Sequence, residues 1–140
     1  MIKSDDILNI LDLLPDDRMN PTSPGTTACL YTGEDGSHCI AGEILFRLGC
    51  DLPDFGEDSN SIPVHELVVE YGISLSQKAM NLLGAGQVAA DNYTHDKYRD
   101  AWRYAKLAIL NEYRNYDGLT VDDSDTEPYP KEYSYAKVCS

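Results

Sequence analysis

Five segments of this chain repeat apolar residues every three or four positions, the spacing that places them on one face of an α-helix. Proline or glycine lies at the ends of most of these segments, and both residues mark helix boundaries. The segments comprise residues 4–14, 39–48, 63–71, 74–90 and 94–113. The pattern predicts a mainly α fold in which about five helices surround one core.

The chain has 140 residues, which is enough for one core and is typical of one domain. Its composition changes after Asp117 and Gly118, where carboxylates and tyrosines become frequent. We therefore predict a helical domain over residues 1–118 and an acidic, tyrosine-rich arm over residues 119–140. The arm is either a flexible tail or an extended segment laid over the basic fifth helix. Its tyrosines favour the extended segment, because purely solvating tails contain few aromatic residues.

A small β-hairpin is predicted before the second helix. Residues 26–32 have the composition of a short strand, residues 33–36 form a polar turn with glycine at both ends, and residues 37–39 return as a second strand. This pairing would bring Cys29 close to Cys39. Two strands alone are only marginally stable, so the helix that follows must hold them.

Serines precede several of the predicted helices at positions suited to capping. Ser4 is the predicted N-cap of the first helix, and Ser37 is the predicted N-cap of the second. Ser74 and Gln77 fit the capping box of the fourth helix.

Three glycines interrupt the predicted helices. Gly42 lies within the second helix and predicts the close approach of another backbone. Gly84 and Gly86 interrupt the apolar stripe of the fourth helix. They predict either a kink or a close helix crossing.

The chain is strongly acidic, with 24 Asp and Glu residues against 11 Lys and Arg residues and a formal net charge of −13. Such a charge repels nucleic acid phosphates and anionic membrane surfaces. The sequence thus predicts no direct nucleic acid binding and no membrane association. It favours either a solvated acidic surface or a basic protein partner, recognised directly or by mimicry of nucleic acid.

The sequence predicts a soluble cytoplasmic protein. Residues 1–14 carry polar side chains among their apolar ones and do not fit a secretory signal. No apolar run approaches the roughly 20 residues that span a bilayer. Cytoplasmic cysteines are usually reduced, so the four cysteines are expected as thiols or metal ligands more than as disulfides. For Cys29 and Cys39 all three states stay open, and the oligomeric state is not constrained.

One candidate site is a structural zinc centre. Cys29, His38, Cys39 and Cys50 are suitable ligands within 22 residues. No Cys-x2–4-Cys pair occurs among them, and the adjacent His38 and Cys39 would point to opposite sides of a strand. The competing interpretation is that Cys39 and Cys50 are small buried apolar residues, with no metal and no cofactor bound.

A second candidate is a cysteine nucleophile. Cys39 lies at the predicted N-terminus of a helix, where the helix dipole lowers the pKa of a thiol. His65 or His95 could then serve as the base of a cysteine-dependent hydrolase or transferase. The residues after Cys39 match no peptidase signature, and no phosphate-binding loop, dinucleotide fingerprint or Gly-x-Ser-x-Gly motif occurs in the chain.

Two groups of residues resemble a set of small proteins from actinobacteria and their phages. The first group comprises Cys29, Tyr31, Cys39, Ile40, Gly42, Leu45, Leu48 and Gly49, and the second comprises Leu82, Leu83, Gln87, Asp91 and residues 102–105. The resemblance covers about residues 28–105 and implies a shared scaffold and source, without catalytic residues to carry over. The acidic arm is a departure from that set.

These observations lead to one main hypothesis and two alternatives. The main hypothesis is a small acidic, non-enzymatic protein, encoded by a phage or an actinobacterium, that binds a host protein. The alternatives are the cysteine-dependent enzyme and the zinc-stabilised scaffold.

Overall fold

The computed structural model describes residues 1–22, 29–116 and 125–129. Within them the chain forms five α-helices: α1 (Ser4–Leu11), α2 (Ile40–Arg47), α3 (Val64–Glu70), α4 (Gln77–His95) and α5 (Ala101–Tyr116). A 3-10 turn (Asp58–Ser61) precedes α3, and the strands β1 (Leu75–Ser76) and β2 (Pro128–Tyr129) form one antiparallel pair. The predicted mainly α fold of five helices around one core is confirmed.

Helix α4 is the centre of the molecule. It packs most extensively on α5 and also contacts α1, α2 and α3. Its Leu82 and Leu83 join Trp102 of α5 and Ile44 of α2 among the fully buried side chains. The core therefore lies around α4.

Two glycines of α4 have different surroundings. A Cβ added at Gly86 would lie 2.5 Å from Cδ1 of the buried Ile109, so Gly86 allows the close crossing of α4 and α5. At Gly84 the nearest such atom is Cε of Met80, at 4.0 Å. Helix α4 is continuous through both glycines. Of the two predicted alternatives, a kink and a close helix crossing, the close crossing is therefore the one found at Gly86.

The predicted hairpin is not the strand pair that forms. Within residues 29–39 the turn is present, with N–H of Gly33 donating to the carbonyl of Ser37 at 2.7 Å, but no strand flanks it. The buried Asn60 satisfies the backbone of Thr32 instead. Its Oδ1 accepts a bond from the Thr32 N–H, and its Nδ2 donates one to the Thr32 carbonyl. Residues 26–28 of the predicted strand lie outside the described residues.

Two predicted N-caps are wrong at the start of α1 and α4. Lys3 caps α1, and its backbone N–H donates to the carboxylate of Asp6 at 2.8 Å. Ser76 caps α4 by accepting a bond from N–H of Ala79 at 3.0 Å. Ser74 cannot begin the helix because its carbonyl accepts a bond from N–H of Ile2, which keeps this segment extended.

The fifth helix also begins later than predicted. Helix α4 continues to His95, because Ala90 and Thr94 are both buried against the core. Lys97 then adopts a left-handed backbone conformation with φ of 62°, which an α-helix does not accommodate. Helix α5 starts only at Ala101.

The described part of the predicted arm pairs with β1. Tyr129 is the register partner of Leu75, and the carboxylate of Asp125 accepts bonds from Ser4 and Ser76. Residues 125–129 thus lie beside β1 and the starts of α1 and α4. The rest of the arm lies outside the described residues.

Candidate functional site

A pocket of about 420 Å³ opens beside α4. Its walls come from α4, from residues 61–65 at the start of α3, and from the segment that holds Cys29 and Tyr31. Tyr31, Val64 and Met80 form a buried apolar interior. The pocket therefore combines an apolar wall with polar groups from two helices.

Asp91 is the polar centre of the pocket. Its Oδ1 accepts a hydrogen bond from Nδ2 of Asn20 at 2.7 Å and a longer one from Nε2 of Gln87 at 3.4 Å. The Cys29 thiol also bonds its side chain. All three donors are neutral, so they orient the carboxylate without neutralising its charge.

Asn20 joins this network to the core. It is 4% exposed, and its Oδ1 accepts bonds from N–H of Ile40 at 3.0 Å and from Nε1 of Trp102 at 2.9 Å. Its own backbone N–H donates to Oγ1 of Thr94. The Asn20 side chain thereby accepts the first N–H of α2, bonds the Trp102 indole of α5 and positions the Asp91 carboxylate of α4.

Cys39 is a structural cap of α2. It replaces the predicted Ser37 as N-cap, and its Sγ accepts a bond from N–H of Gly42 at 3.3 Å. Burial raises the pKa of this thiol to about 12, despite the bonds from Gly42 and Gln87 that lower it. The helix terminus acts on Cys39 as expected, but desolvation outweighs it, and the result is opposite to an activated nucleophile.

Cys29, and not Cys39, lines the same pocket as His65 and Asp91. Burial raises the pKa of the Cys29 thiol, and its hydrogen bond to Asp91 and the charge of that carboxylate raise it further. A thiol held in its neutral form acts as a hydrogen-bond donor. His65 is exposed at the edge of the pocket, and His95 is an exposed residue at the end of α4.

The four predicted zinc ligands have different contacts, although Cys39 lies close enough to raise the pKa of Cys29. Nδ1 of His38 lies 2.9 Å from the carbonyl of Tyr31, Cys29 lines the pocket and Cys39 caps α2. Cys50 lines another groove, where burial raises its pKa. None of these three cysteines is in a disulfide, and the described residues contain no group of three or more His, Cys, Asp or Glu that could hold a metal ion.

The predicted close approach at Gly42 is confirmed. A Cβ there would lie 2.9 Å from the carbonyl oxygen of Tyr31. Tyr31 in turn donates its hydroxyl to the carbonyl of Ile62, and its backbone N–H to that of Asn60. Tyr31 thus fixes one wall of the pocket between α2 and the loop before α3.

One stretch of the chain that contributes to the pocket carries carboxylates and neither lysine nor arginine. Residues 48–77, called the acidic segment below, contain six carboxylates and neither lysine nor arginine. All six are exposed: Asp51, Asp54, Glu57, Asp58, Glu66 and Glu70. Phe55 lies among them and is 44% exposed. The acidic segment also contributes residues 61–65 to the pocket.

Sequence reasoning did not identify Asn20 and gave Gln87 and Asp91 no chemical role. Gln87 and Asp91 lie four residues apart on α4, which indicates a shared face. No comparable signal marks Asn20, because its side-chain partners lie 20, 71 and 82 residues away.

Comparison with protein-family models, with curated proteins and with solved structures finds no match. None of the helices in the described parts of the chain is long and apolar enough to cross a membrane.

Proposed function

We propose that this chain is a non-enzymatic cytoplasmic protein that binds a basic protein partner through its acidic segment. The observation that carries the proposal is the run of six exposed carboxylates without a lysine or arginine between them. Charges of one sign on one segment attract an oppositely charged surface and select against acidic ones. The formal net charge of −13 acts in the same direction at long range.

Phe55 supports a specific interface over general attraction. An aromatic side chain that is 44% exposed among carboxylates offers apolar area for burial at the centre of a charged rim. Charged rim residues mainly set the association rate, while buried aromatic anchors mainly set the dissociation rate. The resemblance to small proteins of actinobacteria and their phages places the partner in an actinobacterial cell, which is the host cell where the chain is phage-encoded.

The state of the cysteines favours binding over cysteine catalysis. Cys39 is buried as a helix cap with its pKa raised to about 12, and Cys29 donates its thiol to Asp91. A nucleophilic cysteine needs the opposite shift, toward the thiolate. Both thiols therefore have structural explanations.

Two variants with equal charge test the proposal. In the segment variant four carboxylates of the acidic segment become amides: Asp51→Asn, Asp54→Asn, Glu57→Gln and Asp58→Asn. In the remote variant four exposed carboxylates elsewhere are changed: Asp12→Asn, Asp17→Asn, Glu34→Gln and Asp96→Asn. Each set removes four negative charges and moves the formal net charge from −13 to −9.

Wild type and the two variants are each used to capture partners from lysate of the producing cell. The salt concentration is about 0.15 M, where the Debye length is about 8 Å. We expect a basic protein that wild type and the remote variant retain and the segment variant loses. Phe55→Ala should weaken its retention without any change in charge. Equal retention by the segment and remote variants would reduce the interaction to non-specific charge attraction and contradict the proposal.

A further inference from the structure

The pocket beside α4 has two chemically distinct parts. Its interior wall is apolar, with Val64 and Met80 each 5% exposed. Gln87 and Asp91, on the same helix as Met80, line the pocket with an amide and a carboxylate. A volume of about 420 Å³ lies within the range of small-ligand sites, which are mostly apolar and orient their ligand with a few polar groups.

The charge of the pocket is negative. Neither lysine nor arginine is among its lining residues, and within the described parts of the chain none pairs with Asp91. Glu66 of α3 acts on the same space. Burial raises the pKa of Tyr31 in the pocket wall, and the neighbouring Cys39, Asp91 and Glu66 raise it further. Carboxylates on two helices thus act on the same space.

Gly84 keeps this space open. It lines the pocket, and a Cβ built there would have only Cε of Met80 within 4.0 Å. Glycine within a helix costs about 0.5–1 kcal/mol relative to alanine. At Gly86 the close crossing with α5 explains the glycine. At Gly84 no packing contact with the described residues does, and the open pocket is what its missing side chain provides.

We propose that this pocket binds an alkyl cation, an ammonium or guanidinium group at the end of a short aliphatic chain. The cationic group pairs with the Asp91 carboxylate, and the aliphatic chain lies against Val64 and Met80. Such a cation is carried either by a free small amine or by a lysine or arginine side chain of a protein. The ligand class follows from the pocket lining alone and does not rest on the proposed partner.

The test is an NMR titration of the full-length protein with n-butylammonium and n-butylguanidinium, and with 1-butanol as a neutral probe of similar size. We expect saturable shifts of the backbone amide signals of Gly84, Gln87 and Asp91 with both cations. The affinity for 1-butanol should be lower by a factor of about ten or more, because this alcohol cannot form the charge-assisted hydrogen bond.

Two variants and one control locate the binding. Gly84→Leu fills the pocket without a clash at Cβ and should abolish saturable binding. Asp91→Asn should weaken cation binding about tenfold or more. If the Asp91 variant fails to fold, Gly84→Leu still decides the question. Asp96→Asn, an exposed carboxylate outside the pocket lining, is the control and should retain wild-type affinity.

Nα-acetyl-lysine N-methylamide distinguishes the two sources of the cation. Binding of this compound in place of the free amine assigns the pocket to a protein side chain, and the reverse assigns it to a small molecule. Absence of binding by all the cationic probes, equal binding of 1-butanol, or unchanged affinity in Gly84→Leu would overturn the proposal. The two tests can fail separately, because the segment variant changes no residue that lines the pocket and Gly84→Leu changes no carboxylate of the acidic segment.

Discussion

Asn20 is the residue on which the described site most depends. Its Oδ1 accepts bonds from the start of α2 and from the Trp102 indole, and its Nδ2 holds Asp91. Three parts of the chain are thereby connected through one buried amide. A buried donor that loses its acceptor costs about 1–3 kcal/mol, because no water replaces the lost bond.

Asn20→Ala should lower the free energy of unfolding by about 2–4 kcal/mol, since it leaves the N–H of Ile40 and the Nε1–H of Trp102 without their acceptor. The measurement is urea unfolding followed by circular dichroism. A double-mutant cycle with Trp102→Phe should give a coupling energy of about 1 kcal/mol. A loss below about 0.5 kcal/mol, typical of surface positions, would show that the network is not structural.

At the scale of the element, two glycines of α4 have different roles. Gly84 and Gly86 are two residues apart, so they lie on nearly opposite faces of the helix. Gly86 faces Ile109 across the helix crossing, whereas Gly84 faces the pocket. The same substitution should therefore have opposite effects at the two positions.

Gly84→Ala should raise the free energy of unfolding by about 0.5–1 kcal/mol, because alanine is the better helix former and its Cβ meets no close neighbour. Gly86→Ala should lower it by about 1–3 kcal/mol, because the added Cβ would overlap buried Ile109. Thermal and urea unfolding of both variants check these signs.

Ile109→Ala provides the internal control for Gly86. It removes Cδ1 and Cγ1, which lie 2.5 Å and 2.8 Å from the added Cβ, so Gly86→Ala should be less destabilising in that background than in wild type. An equal cost in both backgrounds would assign the effect of Gly86→Ala to something other than the crossing.

At the scale of the whole molecule, Asp125 connects residues near the two ends of the chain. Its carboxylate accepts bonds from the backbone and hydroxyl of Ser4 at the start of α1, and from Oγ of Ser76, the N-cap of α4. Burial raises its pKa, but these bonds and the nearby Lys78 outweigh burial, and the net pKa is lower than usual. A carboxylate with a lowered pKa stabilises the folded state most when it is ionised.

Asp125→Asn should lower the free energy of unfolding by about 1–2 kcal/mol at pH 7, because charge-assisted bonds at two helix starts are weakened. The pKa of Asp125 is lowered on folding, so its contribution is present above the unfolded pKa, about 3.9, and is lost as the pH falls through the folded value. Unfolding measured from pH 7 to pH 3 should therefore show the difference between variant and wild type shrinking. A difference independent of pH would contradict this assignment.

The sequence predicts the helices well because their signals are local. The spacing of Ile7 and Leu11, or of Leu82 and Leu83 with Ala79, is contained in a few turns of one helix. Predicted element boundaries were wrong where residues distant in sequence form hydrogen bonds. The N–H of Ile2 bonds the carbonyl of Ser74 and keeps it extended, and Asn60 accepts the backbone N–H of Thr32. The helix and strand propensities of neighbouring residues do not depend on such distant partners.

The candidate site was less predictable for the same reason. Cys29 and Cys39 were recognised as notable, but which of them shares a pocket with His65 depends on how residues 61–65 lie against α4. Burial raises the pKa of the Cys39 thiol by more than the hydrogen bond from the helix terminus lowers it. Desolvation depends on the packed core and has no signature in the residues next to the thiol.

We propose that the acidic segment is a specific binding surface for a basic partner. The most direct measurement is the dissociation constant of the captured partner for wild type, the segment variant and the remote variant, at one salt concentration. The segment variant should bind about tenfold more weakly than wild type or worse, as four rim charge pairs of about 0.2–1 kcal/mol each would give. The remote variant should remain within about twofold of wild type. Equal losses in the two variants, which share the formal net charge of −9, would contradict the claim.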